Sequence, residues 1–516
     1  MASTGSDLSP ARSKTNGHTP ESISINGGPP ESLRQEKQQH ADNKAGRKYK
    51  HAFAVHAQTR TSCLSHDSDA APSFVGFRNL MALVLVFSNL RLMMENLKKY
   101  GILVTLSGTE IRQSDWHLFG TLYVLTPFFL FVAYIIEILA SVAAKWILAR
   151  EKKAEDEDNK AEIAEKRRKV FMKWRWIAFA HGLNATCMLV YSTFVVYYQI
   201  HNPALGTITE LHAVIVWLKV CSYAFTNRDL RHAMLNRDFA HSSLPELYKS
   251  CPYPQNITVR NLCYFWWAPT LVYQPVYPRT ERIRWLFVLK RIGEFLLLCV
   301  VIWIATAQYA VPLLGNSLDA ISSFNLVSIF ERTLKLSTIS LVCWLAGFFA
   351  LFQSFLNALA EIMRFGDREF YGDWWNSSNV RGYWTSWNKP VTHFMKRHIY
   401  SPMVGRGMNS TLAQILTFLF SGVLHELLVC VPTHNILGVA FAGMVLQLPL
   451  IFITDPFARM KGQNWRLVGN LTFWVTFCIL GQPVAALAYF FAWQAKYGGD
   501  GKPQWPSAGL FVSSQK

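Results

Sequence analysis

The sequence predicts an all-α protein that crosses a membrane many times. Three observations carry this reading. Of its 516 residues, 51% are hydrophobic and only 16% are charged, where a soluble chain carries about a quarter charged. The apolar residues gather into runs long enough to span a hydrocarbon core about 30 Å thick, which needs roughly 20 helical residues. The basic residues fall between those runs rather than within them.

Nine runs meet the length criterion: Phe77–Leu97, Leu118–Trp146, Trp176–Tyr198, Leu205–Phe225, Ile292–Pro312, Val327–Leu359, Thr411–Val431, Ile436–Thr454 and Leu467–Trp493. The fourth, with Glu210, His212 and Lys219, departs furthest from an uninterrupted span. The net charge of +18 does not form a nucleic-acid surface, because the cations are spread over loops. Lys and Arg are dense in Arg150–Arg175, in the segment from Arg228 to Arg284, in that from Arg364 to Arg397, and after the eighth run at Arg459, Lys461 and Arg466. The connections Val311–Asn325 and Thr433–Asn435 have none. The positive-inside rule then places the even-numbered loops and the N-terminus in the cytosol and the C-terminus in the lumen. The loop Lys98–Trp116, with Lys98, Lys99 and Arg112, fits this alternation least.

Residues 1–72 are rich in Ser, Gly, Pro, Gln and Lys and lack a signal-peptide apolar region, so they read as a disordered cytosolic tail. Residues 73–495 form the transmembrane domain, and 496–516 a short C-terminal tail. The nine cysteines lack metal-ligand spacing, and those in apolar runs read as small hydrophobes. No internal repeat or pair of broken helices points to a transporter.

Two places carry polar groups where the pattern does not call for them. The pair His425-Glu426 lies in the run Thr411–Val431, with His425 roughly 20 Å along the helix from Thr411. Ionisable groups at that depth line a cavity or bind a neighbouring helix. A neutral imidazole there would also serve as a general base toward a hydroxyl. Ser421, four residues earlier, shares its face. The second place, Phe365–Pro402, sets Trp374, Trp375, Trp384 and Trp387 among Asp373, Asn376, Asn388, Arg397 and His398. Such tryptophans form an interfacial belt; the surrounding hydrogen-bonding capacity also suits an amphipathic nucleotide–acyl ligand. Gln447 and Gln482 interrupt apolar runs as interhelical glue or as tunnel-lining groups.

These residues carry a family resemblance. The motif Phe370-Tyr371-Gly372-Asp373-Trp374-Trp375-Asn376, with Asn388 in Trp387-Asn388-Lys389-Pro390 and His425 in Leu424-His425-Glu426, resembles the membrane-bound O-acyltransferases. The similar branch holds the acyl-CoA:diacylglycerol and acyl-CoA:sterol enzymes, and the likeness runs from about Asn89 to near Trp493. Phe365-Gly366-Asp367-Arg368-Glu369-Phe370-Tyr371, Ala268–Leu271 and Ser222–Asp229 look like the diacylglycerol branch. So does Thr392–Pro402, at Arg397, His398, Tyr400 and Pro402; it departs at Thr392 and His393.

The resemblance implies a helical fold enclosing an intramembrane chamber. It implies an acyl group passed from acyl-CoA to diacylglycerol, giving triacylglycerol and CoA, with a sterol or fatty alcohol as the alternative acceptor. His425 and Asn388 would be the catalytic pair. Phe370, Tyr371, Asp373, Trp374, Trp375, Asn376, Trp384, Trp387, Arg397, His398, Ser421, Glu426, Gln447 and Gln482 would contact substrate. No metal or other cofactor is called for, acyl-CoA being a co-substrate. Residence in the endoplasmic-reticulum membrane and homo-oligomerisation are implied in the same way.

Overall fold

The computed structural model describes residues 54–65, 72–96, 111–155, 160–235, 244–310, 313–314, 326–460, 463–499 and 502–503. Most of the expected N-terminal tail, the C-terminal tail beyond 503 and much of the loop Lys98–Trp116 lie outside them. Every predicted apolar run falls on a helix. In chain order these are α1 (Val75–Asn96), α2 (Gln113–Glu155), α3 (Lys160–Gln199), α4 (Pro203–Leu235), α5 (Val259–Trp267), α6 (Trp285–Ile304) and α7 (Leu326–Ile362). There follow α8 (Val380–Ser386), α9 (Lys389–Phe394), α10 (Ser410–Cys430), α11 (Val439–Arg459) and α12 (Asn464–Trp493). The short helices α5, α8 and α9 lie in the long basic loops.

Among the described residues seven helices are long and apolar enough to cross a membrane, α2, α3, α4, α7, α10, α11 and α12, so the expected count of nine is matched in part. In α1 the stretch Val75–Phe87 is apolar, and the helix continues to Asn96. Helix α6 carries Lys290, Arg291 and Glu294 on consecutive turns, and Arg291 pairs with Glu294 at 2.8 Å.

Helices α2, α3 and α4 pack together in sequence order. The turn from α3 to α4 is fixed by Asp115, whose carboxylate accepts from the backbone N–H of His201 (3.2 Å) and Asn202 (2.9 Å). Asn202 then caps α4 by accepting from Ala204 and Leu205, and Pro203 opens the helix at the position proline tolerates. Helix α4 holds its ionisable groups by giving them partners. Thr193 donates to Glu210 at 2.8 Å. The Lys219 ammonium donates to the carbonyls of Phe265, Trp266 and Ala268, all at 2.8 Å. Those carbonyls close α5, where no intrahelical donor remains.

Helix α7 contains a π turn at Phe349–Phe355, and Asn357 donates to the displaced carbonyls of Phe352 (3.2 Å) and Gln353 (3.0 Å). Around this turn gathers the main aromatic core. Trp374 and Trp375 are fully buried, with Phe348, Phe352, Tyr371, Tyr383 and Trp474 about them.

One boundary moves. The expected tail ended at residue 72, yet residues 54–65 are docked on the helical body. Arg60 N–H donates to Gly366 and Arg60 carbonyl accepts from Arg368, a single parallel bridge with Asp367. His56 is buried beside it. Average composition does not register a segment whose few apolar and bonding groups all meet partners.

Candidate active site

The long loop between α7 and α10 brings the two sequence-marked places together. After the Trp374–Asn376 turn, Asn379 caps α8 by accepting from Gly382 at 2.9 Å, and Asn388 caps α9 by accepting from Val391 at 3.1 Å. Pro390, in the first turn of α9, suits that cap. Helices α8 and α9 thus stand against α10. Between them, α4 and α11 lies a cavity of about 560 Å³, within the range of ligand pockets.

Its walls are largely apolar: Leu211, Val214, Ile215, Leu218, Leu271, Phe352, Leu424 and Ile451. The polar groups facing it include Asn388, His425, Ser421, Thr417, Gln414, Arg381, Lys396 and Tyr400. Trp384 and Trp387 complete the lining. An apolar chamber with a few converging polar groups is a default ligand site.

His425 is held in one orientation. Its Nδ1 lies 2.8 Å from the Ser421 carbonyl and 3.5 Å from the Ser421 hydroxyl. A carbonyl only accepts, so Nδ1 carries the proton and Nε2 presents its lone pair. Nε2 has no protein partner among the described residues. Trp384 stands edge-on to the ring, centroids 6.5 Å apart, and its indole N–H donates to Gln447 at 3.3 Å.

Asn388 is oriented by the same logic. Its Oδ1 accepts the Val391 N–H, which fixes the amide so that its NH₂ is the free end. The chamber is therefore bordered by an imidazole with Nε2 uncommitted and by an amide with its NH₂ uncommitted. That pair can remove a proton from an attacking hydroxyl and stabilise an oxyanion.

The remaining predicted site residues take other places. Phe370, Tyr371, Trp374 and Trp375 are core residues, each at most 2% exposed, and none lines the chamber. Trp375 donates to the Ser73 carbonyl at 2.9 Å, and Asn376 accepts from Gly76 at 2.6 Å, tying this motif to α1. Asp373 receives a 3.4 Å contact from Asn376. His398 meets the Ser222 hydroxyl at 2.7 Å, while Arg397 is buried near the Tyr248 phenol. Glu426 faces away from the chamber, accepting from the N–H groups of Gly438 (2.8 Å) and Phe441 (3.1 Å) and from the Tyr489 hydroxyl (2.7 Å). Gln447 sits behind Trp384, and Gln482 receives the Ser340 hydroxyl at 3.4 Å.

Sequence reading missed Arg381, Lys396, Gln414 and Thr417, whereas Tyr400 was marked by the resemblance. Helical period would have found two of them, since Gln414, Thr417 and Ser421 recur on the face of His425. Arg381 gave no signal. It chelates Asp455 (2.6–3.2 Å) and donates to Gln414 at 2.8 Å.

Taken together, a helical membrane body and an enclosed base–donor pair define a multi-pass membrane enzyme. The chain belongs to the membrane-bound O-acyltransferase family, whose model matches residues 128–491, and it is accordingly an acyltransferase. It is 37% identical over 448 residues to diacylglycerol O-acyltransferase 1A of Glycine max, covering 86% of this chain and 82% of that protein. It is 35% identical over 446 residues to diacylglycerol O-acyltransferase 1 of Arabidopsis thaliana, covering 86% and 78%. With diacylglycerol O-acyltransferase 1 of Dictyostelium discoideum the figures are 34% over 433 residues, 84% and 64%.

Proposed function

We propose that this enzyme transfers a long-chain acyl group from acyl-CoA to the free hydroxyl of diacylglycerol, forming triacylglycerol and CoA. The names of the relatives supply the substrates. The observation that supports the chemistry is that His425 and Asn388 both line one largely apolar chamber, with Nδ1 of the first and Oδ1 of the second committed to the backbone.

In this mechanism the diacylglycerol hydroxyl gives its proton to His425 Nε2 as its oxygen attacks the thioester carbonyl carbon. The carbonyl oxygen becomes an oxyanion, which accepts a hydrogen bond from the Asn388 amide. Collapse re-forms the C=O bond and breaks C–S. The departing thiolate takes the proton from the imidazolium, leaving ester, CoA thiol and a neutral His425. Attack is direct, with no acyl-enzyme. The thioester is already activated, so placing two reactants away from water supplies much of the rate, and the scheme calls for no metal or other cofactor.

Residence in the endoplasmic-reticulum membrane with a cytosolic N-terminus, a lumenal C-terminus and a homo-oligomeric assembly belongs to the same proposal. So does the division into an N-terminal tail and one transmembrane catalytic domain. Trp384 and Trp387, flanking the chamber, are assigned to substrate contact. The deciding experiment supplies the purified enzyme with labelled oleoyl-CoA and, separately, diacylglycerol, a sterol or a fatty alcohol, and resolves the lipid products. Label in triacylglycerol is expected; label mainly in steryl or wax ester would overturn the assignment.

A further inference from the structure

The docked N-terminal segment reaches the active chamber by two routes. The first is apolar. Val55 packs in one cluster with Leu218, Leu271, Val391, Met395 and Leu424, all of which line the chamber. The second is polar and ends at Asn388. His56, 5% exposed, has Nδ1 at 2.5 Å from the Asp367 carboxylate, Nε2 at 2.7 Å from the Thr270 hydroxyl, and its backbone N–H on the Gln274 side chain at 3.0 Å.

Asp367 is bridged through its backbone to Arg60, and Arg60 also reaches Glu369 at 3.1 Å. Glu369 in turn pairs with the Lys389 ammonium. Lys389 N–H donates to the Phe370 carbonyl at 3.0 Å. Lys389 is the residue after Asn388 and the first of α9. The segment 367–370 therefore carries the N-terminus of α9, and His56 carries the segment.

We propose that His56 is a positioning residue for acyl transfer, pinning Asp367 so that the Asp367–Phe370 segment holds Lys389, and with it the Asn388 amide, in register with the reacting carbonyl. This rests on the assignment of Asn388 as oxyanion donor. Of the contacts in this chain, those at Glu369 are partly exposed and weak singly. The His56–Asp367–Thr270 set is buried, so its loss leaves unpaired groups that the segment must move to satisfy. A shift of about 1 Å at a catalytic donor can cost about 100-fold in rate.

The test is a double-mutant cycle in the full-length enzyme, with initial rates of labelled triacylglycerol formation. Asn388→Ser keeps an oxygen to cap α9 but removes the amide donor. His56→Ala in the native background is expected to lower kcat about tenfold or more, with the KM for acyl-CoA changed less than about twofold. His56→Asn, whose amide can donate where Nδ1 does, recovers most of the rate. In the Asn388→Ser background, His56→Ala costs less than about twofold, because the group it positions is already gone.

A full and additive loss in both backgrounds, or native kcat in His56→Ala, overturns the role of His56. A general loss of folding would appear as a fall in recovered protein and as additivity in the cycle, and it counts against the proposal. Native activity in Asn388→Ser alone would instead sink the oxyanion assignment, a separate failure.

Discussion

Replacing His425 by Ala removes the base while leaving little else undone. The ring makes its 2.8 Å bond to the Ser421 carbonyl, but that carbonyl lies inside α10 and also receives a main-chain N–H four residues on. Its loss therefore strands no backbone group. The ring already borders a cavity of about 560 Å³, so truncation enlarges an existing space. The fold should persist. General-base catalysis contributes about 10²–10⁴ in rate, or about 3–5 kcal/mol at 1.36 kcal/mol per tenfold. The variant, in nanodiscs with labelled oleoyl-CoA and diacylglycerol, is expected to lose about that factor in kcat. It should keep its thermal midpoint and its affinity for a non-reactive acyl-CoA thioether. Turnover within about tenfold of native would remove His425 from the proton-transfer step.

Two further outcomes test the scaffold. Trp374, buried fully in the aromatic core beside Trp344, Phe348, Trp375 and Trp474, should cost about 3–5 kcal/mol on truncation to Ala. That appears as a lowered thermal midpoint with the KM for acyl-CoA little changed in the surviving folded protein; a raised KM at native stability would instead make the ring a ligand contact. Acid should also destabilise the loop between α7 and α10. Burial, reinforced by His56, drops the His393 imidazole from 6.5 to about 4. Burial tends to raise the Asp367 carboxyl, yet the His56 hydrogen bond together with the neighbouring His56, Arg60 and His393 charges outweighs it and holds that group below its ordinary value. An unfolded His393 takes up a proton below about pH 6.5 and the folded one only near 4, so stability falls across that window, by at most about 3 kcal/mol from His393. The Asp367 loss follows as pH drops through the carboxylate range. A His393→Gln variant should show a flatter decline of midpoint from pH 7 to 5, and an identical slope would discount this residue.

Much of this was legible in the sequence because hydropathy and helical period are local. Each of the nine apolar runs lies on a helix, and His425, Asn388, Ser421, Trp384 and Trp387 meet at one chamber. The number of spans is less legible, since Lys290, Arg291 and Glu294 lie in the first half of α6, and run length alone does not weigh them. So is the division of labour among the polar residues. Sequence places Glu426 next to His425 in α10, but only packing shows it accepting from Gly438 and Phe441 at the start of α11. The FYxDWWN motif reads as a ligand site by composition. Its rings point into α1 and α7 because those helices lie within reach only in three dimensions. His56 stands hundreds of residues from its partners Thr270 and Asp367, beyond any local signal.

The two chamber residues share a design that explains why a histidine and an asparagine stand here. Each side chain has one end that only the backbone can satisfy and one that the backbone leaves alone. His425 commits Nδ1–H to the Ser421 carbonyl, one helical turn back, and so offers a lone pair. Asn388 commits Oδ1 to the Val391 N–H, three residues on, and so offers an N–H. Aspartate at position 388 would cap α9 equally well, but would face an incoming oxyanion with like charge. Glutamine at 425 would repeat the hydrogen bond yet present a carbonyl oxygen too weakly basic to take a hydroxyl proton. Local secondary structure thus fixes the polarity of each exposed end, and under the proposed mechanism the tertiary fold has only to bring them to the same cavity.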